Sequence, residues 1–391
     1  MIRAHNRFWY FLKKTPLVFP RAPAGAEPPF LAAAGLHDVY AAIWREAGPL
    51  RRLFFRLTRL AFLAWLPGRA RSLARAHALP PDRAAAVLAL SRARFLDPRD
   101  AIVQDLKTEA EAALYVRRFE EAAISRRLNP QYWNGTCEMD DKAAFAARCA
   151  RHGLPHPPLR AICRKGRIEA RSFPEAPELF VKPMFGTGGF GVGVVSASGH
   201  DGLPALEVRL RCDAGAKADW IAQDRLRSHP DIADVTLKAL STVRVYTILN
   251  EARRAEIVSV ALKLSTVPEA LADNGAGVGI HVGVEPQTGL LTIGTGRAQS
   301  RMHERNPANG VLFRGRPLPR FREIVDLAVA AHDTAFPDYA YCGWDLAPTA
   351  ERVWLIEGNA KASMVAAQRP NLRWMAPERW NDLLRLNIAR H

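Results

Sequence analysis

Near the end of the chain, "GWDLAPTAERVWLIEGNA" (residues 343–360) carries three side chains of a type and spacing that can hold a divalent cation. Glu357 and Asn359 lie two apart in a strand-like run, so both point to one face, and an antiparallel partner strand brings Asp345, which leads into the turn, alongside them. Two carboxylates and an amide oxygen are hard ligands suited to Mg²⁺, which keeps several waters and binds substrate phosphates besides. A salt-bridged or solvated hairpin end is the plainer alternative for the same residues. A second stretch, "LFVKPMFGTGGFGVGVV" (179–195), contains a formal G-x-G-x-x-G at Gly186, Gly188 and Gly191. A dinucleotide fingerprint needs a helix after its glycines, and a P-loop carries its lysine after them. Here a β-branched run, Val192 to Val195, follows, and Lys182 precedes the loop. What remains is a hairpin whose glycine tip, Gly186, Thr187, Gly188 and Gly189, can close backbone N–H groups over phosphate oxygens while Lys182 supplies a point charge. An ordinary glycine-rich turn fits the same letters. In "LSTVRVYTIL", Arg244 has a fork that suits phosphoryl oxygens, although an arginine on a solvated sheet face reads the same way. Upstream, "CEMDDKAAFAARCARHGLPHPP" (137–158) reads as a capped helix, with Asp141 at its start and Lys142 in its first turn.

These residues need strands to carry them. From about Glu178 onward short β-branched runs alternate with turns, "TVRVYTIL", "EIVSVALKL", "GIHVGVEPQTGLLTIG" and "VWLIEG", broken by one helical stretch, "PRFREIVDLAVAAHDTAF". Residues 1 to about 130 are instead rich in Ala, Leu and Arg, with Pro-rich breaks, and read as helical. At 391 residues the chain is long enough for two or three domains. Hydrophobic content of 48% with 24% charged residues is that of a soluble globular protein.

In this order the stretches resemble the ATP-grasp superfamily, and within it the sugar-transfer-associated ATP-grasp group. "DDK…HGLPHPP", "FVKPMFGTGGFGV", "WIAQDRLRSHPDIADVTLKALSTVRVYT", "ADNGAGVGIHVGVEPQTG" and "GWDLAPTAERVWLIEGN" carry the resemblance, over roughly residues 135–375. It implies an α+β fold in which two α+β subdomains grip ATP, a small subdomain with the glycine lid over 131–217 and a C-terminal subdomain with the magnesium site over 218–391; the region before them, 1–130, reads as basic and helical, a departure from the small α/β domain usual in the wider superfamily. It implies Lys142 and Lys182 near the ATP phosphates, the Gly186–Gly191 hairpin as a lid, and Gln223, Asp224 and Leu226 on a hinge strand meeting adenine. It also implies Asp345, Glu357 and Asn359 as holders of Mg²⁺, and Arg244 at the transferred phosphoryl group. Departures fall at Ser241, where the group commonly has Asn, and at Lys361, where small residues or Pro are common.

The chemistry implied is that of an ATP-dependent ligase: a carboxylate is phosphorylated and the acyl phosphate is displaced by an amine. The substrates expected are an amino acid, a peptide or a cell-envelope saccharide. Arg244, with Arg297 or Lys263 as weaker candidates, is placed to stabilise the oxyanion, and His281 is a further candidate base. A kinase that phosphorylates an acceptor without ligation, and a basic non-catalytic scaffold, are the competing readings.

Charge and cysteines bound the partners. Residues 1–100 hold 17 Lys/Arg against 6 Asp/Glu, a balance of +11 out of a formal +16 for the chain. Within them "LRRLFFRLTRLAFLAWLPGRARSLAR" (50–75) sets Leu53, Phe54, Leu57, Leu60, Ala61 and Ala64 in a stripe beside Arg52, Arg56 and Arg59. The stripe is too short and too charged to span a bilayer; it reads either as a core face or as a surface for anionic membrane. No aromatic-interleaved RNA motif or zinc-finger spacing occurs, so nucleic acid is not an expected partner. Five scattered cysteines and an N-terminus without a cleavage site point to reduced thiols in the cytoplasm, with the inner membrane face as the peripheral alternative.

Overall fold

The period-two runs that dominate the chain after residue 158 become two sheets, and the arginine-rich first quarter becomes helices. The structure, a computed structural model, describes residues 48–390 except 114, 118–119, 166, 171–177, 187–190, 197–218, 272, 274–278, 297–301, 369 and 372–376. The chain divides into two compact units. Met1–Pro130 with Ile248–Arg253 and Ser363–His391 forms one, and Gln131–Thr247 with Arg254–Ala362 forms the other.

In the first unit, helices α1 (Pro49–Ala76), α2 (Pro81–Arg94) and α3 (Pro98–Val103) pack together. Prolines stand at the starts of all three, where a missing N–H costs nothing, and Asp97 caps α3 by accepting from Arg99 N. The stripe anticipated from the sequence is not a core face. Leu50, Leu53, Leu57 and Leu60 are 82, 52, 56 and 61% exposed. A second set on α1, Phe55, Thr58, Phe62, Leu66, Ala70 and Leu73, is buried instead.

The second unit holds both sheets. The smaller comprises β1 (Leu159–Arg164), β2 (Arg167–Ala170), β3 (Glu178–Pro183), β4 (Gly193–Ser196) and β5 (Trp220–Asp224), in the order β2-β1-β5-β3-β4. β3 and β4 pair antiparallel from Glu178↔Ser196 to Val181↔Gly193, so the glycine segment is bracketed by two strands and no helix follows it. Leu179, Val181, Val195, Trp220 and Ala222 pack on one face. Ile162, Met184 and Ile221 lie on the other, against Ala143 of α4 (Lys142–Arg151).

The larger sheet comprises β6 (Val243–Leu249), β7 (Ala255–Leu264), β8 (Ile280–Val284), β9 (Leu291–Gly296), β10 (Met302–His303), β11 (Tyr341–Pro348) and β12 (Val353–Asn359), in the order β10-β9-β8-β7-β6-β11-β12. One face supplies Val243, Val245, Leu262, Val282, Trp344 and Leu355 to a core shared with α5 (Phe321–Ala330) and with Phe145 of α4. Strand alternation sends the intervening residues to the opposite face, and there the polar ones collect.

Candidate active site

On the small sheet, Lys182 and Gln223 share the face that α4 approaches, because Phe180 lies opposite Gln223 and Ile221 opposite Lys182. Asp141 caps α4 by accepting from the N–H groups of Ala143 and Ala144 at 2.8 and 3.0 Å. Lys142 follows at once. Its backbone N–H donates to the Met184 carbonyl at 3.2 Å and its ammonium to the Gly186 carbonyl at 2.8 Å, tying helix start, strand end and glycine segment together.

Lys182 is only 6% exposed. Burial pulls its ammonium down to about 8; Glu357 opposes that shift, Lys142 adds to it and Asp345 opposes it. Among the described residues no acceptor hydrogen-bonds this ammonium. His156, from the "HGLPHPP" exit of α4, is driven down to about 3 by burial and by Lys182, so it is neutral. Its Nδ1 lies 2.7 Å from the Pro157 carbonyl and donates to it, leaving Nε2 as an acceptor.

Across the large sheet the polar residues form a connected row. Arg244 on β6 grips Asp345 on β11 with two bonds, Nε to Oδ1 at 2.6 Å and a terminal nitrogen to Oδ2 at 2.7 Å. Lys263 on β7 reaches the same carboxylate at 3.1 Å and Asp273 at 3.5 Å. Thr242 donates its N–H and hydroxyl to Asp273 at 2.9 and 2.5 Å. Burial pushes the Asp345 carboxyl up, but Arg244 and Lys263 outweigh it and hold it well below the carboxylate range. His281 on β8 sits opposite Lys263.

Asp345 lies inside β11 rather than at a turn, paired with Glu357, while Gly343 pairs with Asn359. The pairing then skips, Asp345↔Glu357 being followed by Leu346↔Leu355, so Ile356 is an extra residue. This β-bulge reverses the facing of β12. Val353 and Leu355 enter the core, and a Cβ on Gly358 would meet Phe145 and Trp344 there, so Glu357 and Asn359 point to the polar side. Among the described residues no donor hydrogen-bonds the Glu357 carboxylate. Asn359 donates its amide to the Gly343 carbonyl at 3.3 Å, which leaves its oxygen for a cation. Asp140, an exposed residue beside α4, is raised by desolvation, pulled back by Lys142 and raised again by Glu357. Lys361 lies over Trp133 and Tyr132, 4.5 and 5.1 Å from their ring centres.

The residues read from the sequence fare differently. Lys142, Lys182 and Gly186 stand together at the hinge of the glycine segment, and Asp345, Glu357 and Asn359 face one side of one hairpin. Arg244 is committed to Asp345. Gln223 is buried, with no partner for its side-chain oxygen among the described residues. The Asp224 carboxylate is taken by Arg160, at 2.7 Å for both bonds, and Leu226 is half-buried. Thr187, Gly188, Gly189 and Arg297 lie outside the described residues. No group of three or more His, Cys, Asp or Glu side chains among the described residues is arranged to hold a metal by itself. Glu357 and Asn359 nevertheless fit Mg²⁺, a cation that proteins bind through one or two oxygens plus substrate phosphates. His156, Asp140, Thr242 and Asp273 were not legible as site residues. Asp273 opens the glycine-rich "DNGAGVG", the one signal that pointed near it.

Several known proteins are similar to this chain. D-alanine–D-alanine ligase from Bacillus anthracis is 12% identical, the match covering 64% of this chain and 67% of that one, with a TM-score of 0.36. D-cycloserine synthetase is 16% identical over 75% of this chain and 82% of its own, at 0.38. An L-amino acid ligase from Bacillus licheniformis is 14% identical over 68% and 48%, at 0.32. No curated protein sequence matches. Residues 121–379 match the profile described as sugar-transfer associated ATP-grasp, and the chain belongs to that family.

Proposed function

We propose that this protein is an ATP- and Mg²⁺-dependent carboxylate–amine ligase acting on an amino acid, a peptide or a cell-envelope saccharide. The observation that carries the reading is Lys182, a buried ammonium with no protein acceptor among the described residues, set beside Lys142 and within the field of an unbonded Glu357. A buried charge left without a partner is costly unless a ligand completes it. The anionic phosphates of ATP supply that completion. Bound magnesium–ATP would supply phosphoryl transfer to a carboxylate, and the resulting acyl phosphate would be displaced by an amine.

In this reading Lys142 and Lys182 hold the phosphates and the segment from Gly186 to Gly189 closes over them. Gln223 to Leu226 line the adenine, through the Gln223 oxygen and the main chain rather than the committed Asp224 carboxylate. Glu357 and Asn359 hold the cation, and Asp345 either joins them or anchors Arg244. Arg244 and Lys263, both ion-paired with Asp345, face the transferred group and the oxyanion, with Arg297 as a further candidate. Lys361, whose ammonium lies over the Trp133 and Tyr132 rings, adds positive charge two residues beyond Asn359, which suits a substrate with an anionic group. The domain limits 131–217 and 218–391 remain our assignment of the two gripping subdomains. Cytoplasmic residence is our reading of the buried cysteines Cys137, Cys149 and Cys342, which stand as thiols.

The test is ATP turnover by the full chain with Mg²⁺ over pooled carboxylates, amines and saccharides, recording ADP, phosphate and product mass, with Glu357→Gln as control. ADP and phosphate released only when carboxylate and amine are both present, with a new amide mass, is the expected result. A phosphorylated acceptor without free phosphate would make the protein a kinase. No nucleotide binding would overturn both.

A further inference from the structure

We infer that the outward face of α1 seats on an anionic lipid surface, its leucines among the acyl chains and its C-terminal arginines at the headgroups. Positions 50, 53, 57, 60, 64, 68, 71 and 75 recur every three or four residues, so they line one face of the helix. That face changes character along its length. From Leu50 to Leu60, about 15 Å of helix, four leucines stand 52 to 82% exposed. Beyond Ala64, Gly68, Arg71, Ser72 and Arg75 line an open recess of ≈ 470 Å³. A glycine floor, a hydroxyl and two guanidinium groups are the chemistry that receives a phosphate.

Charge complementarity selects the occupant. α1 contains seven arginines and no acidic residue. Pairing the face with a second copy would bring arginine against arginine, with none of the acidic flanking positions that specify helix pairs. Residues 1–47 do not complement the face in charge either, since they hold Arg3, Arg7, Lys13, Lys14, Arg21 and Arg45 against Glu27, Asp38 and Glu46. An anionic bilayer satisfies both halves at once, because apolar insertion and attraction to headgroups add. No helix among the described residues is long and apolar enough to cross a membrane, so the contact is one of lying on the surface.

The test uses the full-length protein and vesicles of phosphatidylcholine alone or doped with phosphatidylglycerol, read by flotation at physiological salt. The expected result is binding to the doped vesicles that falls at least about tenfold in Leu53→Glu/Leu57→Glu, and about tenfold in Arg71→Gln/Arg75→Gln. The leucines are exposed, so circular dichroism and the thermal midpoint should not change. As a second readout, an environment-sensitive dye on Leu57→Cys should shift to the blue only with doped vesicles. Binding that ignores the leucine substitutions would reduce the effect to adsorption of a basic protein and overturn the inference. So would a protein that floats with neither vesicle; self-association lost in the leucine variant would then assign the face to a second copy, and capture by an acidic protein would assign it to that partner.

Discussion

Lys182 ties stability to ligand binding at a single nitrogen. Its ordinary value is 10.5 and burial brings it to about 8 in the fold. Between those values the unfolded chain holds a proton that the folded chain has released, so stability without nucleotide rises with pH across that window and is lowest below it. Lys182→Met should therefore raise the thermal midpoint of the nucleotide-free protein at pH 7, flatten the slope between pH 8 and 10.5, and weaken ATP at least about tenfold. ATP binding should also recharge the lysine. Calorimetry at pH 8 in buffers of different ionisation enthalpy should record uptake of about half a proton per nucleotide, and Lys182→Met should abolish it. The two carboxylates of the hairpin separate on a second axis. Asp345→Asn strips the counter-charge from half-buried Arg244 and leaves buried Lys263 with Asp273 alone, and should cost about 3–5 kcal/mol in urea unfolding. Glu357→Gln loses no protein partner; it should leave stability within about 1 kcal/mol while ATP turnover falls by two orders of magnitude or more.

At the scale of elements, β12 does two jobs with one strand. Val353 and Leu355 fill the core, the bulge at Ile356 reverses the facing, and Glu357 and Asn359 reach the polar side. Gly358 makes this possible, since a Cβ there would lie 2.8 Å from Phe145 and 3.0 Å from Trp344, both in the core. Gly358→Ala should lift the strand, cost about 1–3 kcal/mol, and raise the KM for magnesium–ATP as Glu357 and Asn359 move with the backbone. A steady-state titration of Mg²⁺ beside a thermal melt separates the two effects. On the other side of the site, α4 starts where it does because Asp141 caps it, and that start places Lys142 against the glycine segment.

At the scale of the molecule, one compact unit is assembled from three separated stretches, and the end of the chain closes it. Asn387 in the terminal helix (Pro377–Ala389) donates to the Leu249 and Leu383 carbonyls at 2.6 and 2.9 Å, and Arg390 donates to the carbonyls of Asn250 and Glu251 at 2.9 and 2.8 Å. Arg379 adds a forked bond to the Glu251 side chain. The hairpin tip between β6 and β7 is thereby held by residues more than 120 positions later. Asn387→Ala should leave the Leu249 carbonyl buried and unpaired, at a cost of about 1–3 kcal/mol, with amide exchange speeding first at the tip. The excess basic charge gathers in the same unit, on α1, where its outward face is open to a partner.

Local information was enough for the elements. Alternating β-branched runs became the strands, the 3.6-residue period became α5, the Asp141 cap became the start of α4, and the runs on either side of the glycines became an antiparallel strand pair, because each depends on neighbours a few residues apart. The order of the motifs was enough for the family. Tertiary structure alone decided what each face meets. The period of α1 marked an apolar stripe but not which of its two apolar faces is buried. Strict alternation through Leu355 would have sent Glu357 and Asn359 into the core, and only the register against β11 reveals the bulge. Arg244 read as a free phosphoryl contact, yet it is bound to a carboxylate 101 residues away. Burial, register and ion pairing are sums over residues distant in sequence, which no local pattern encodes.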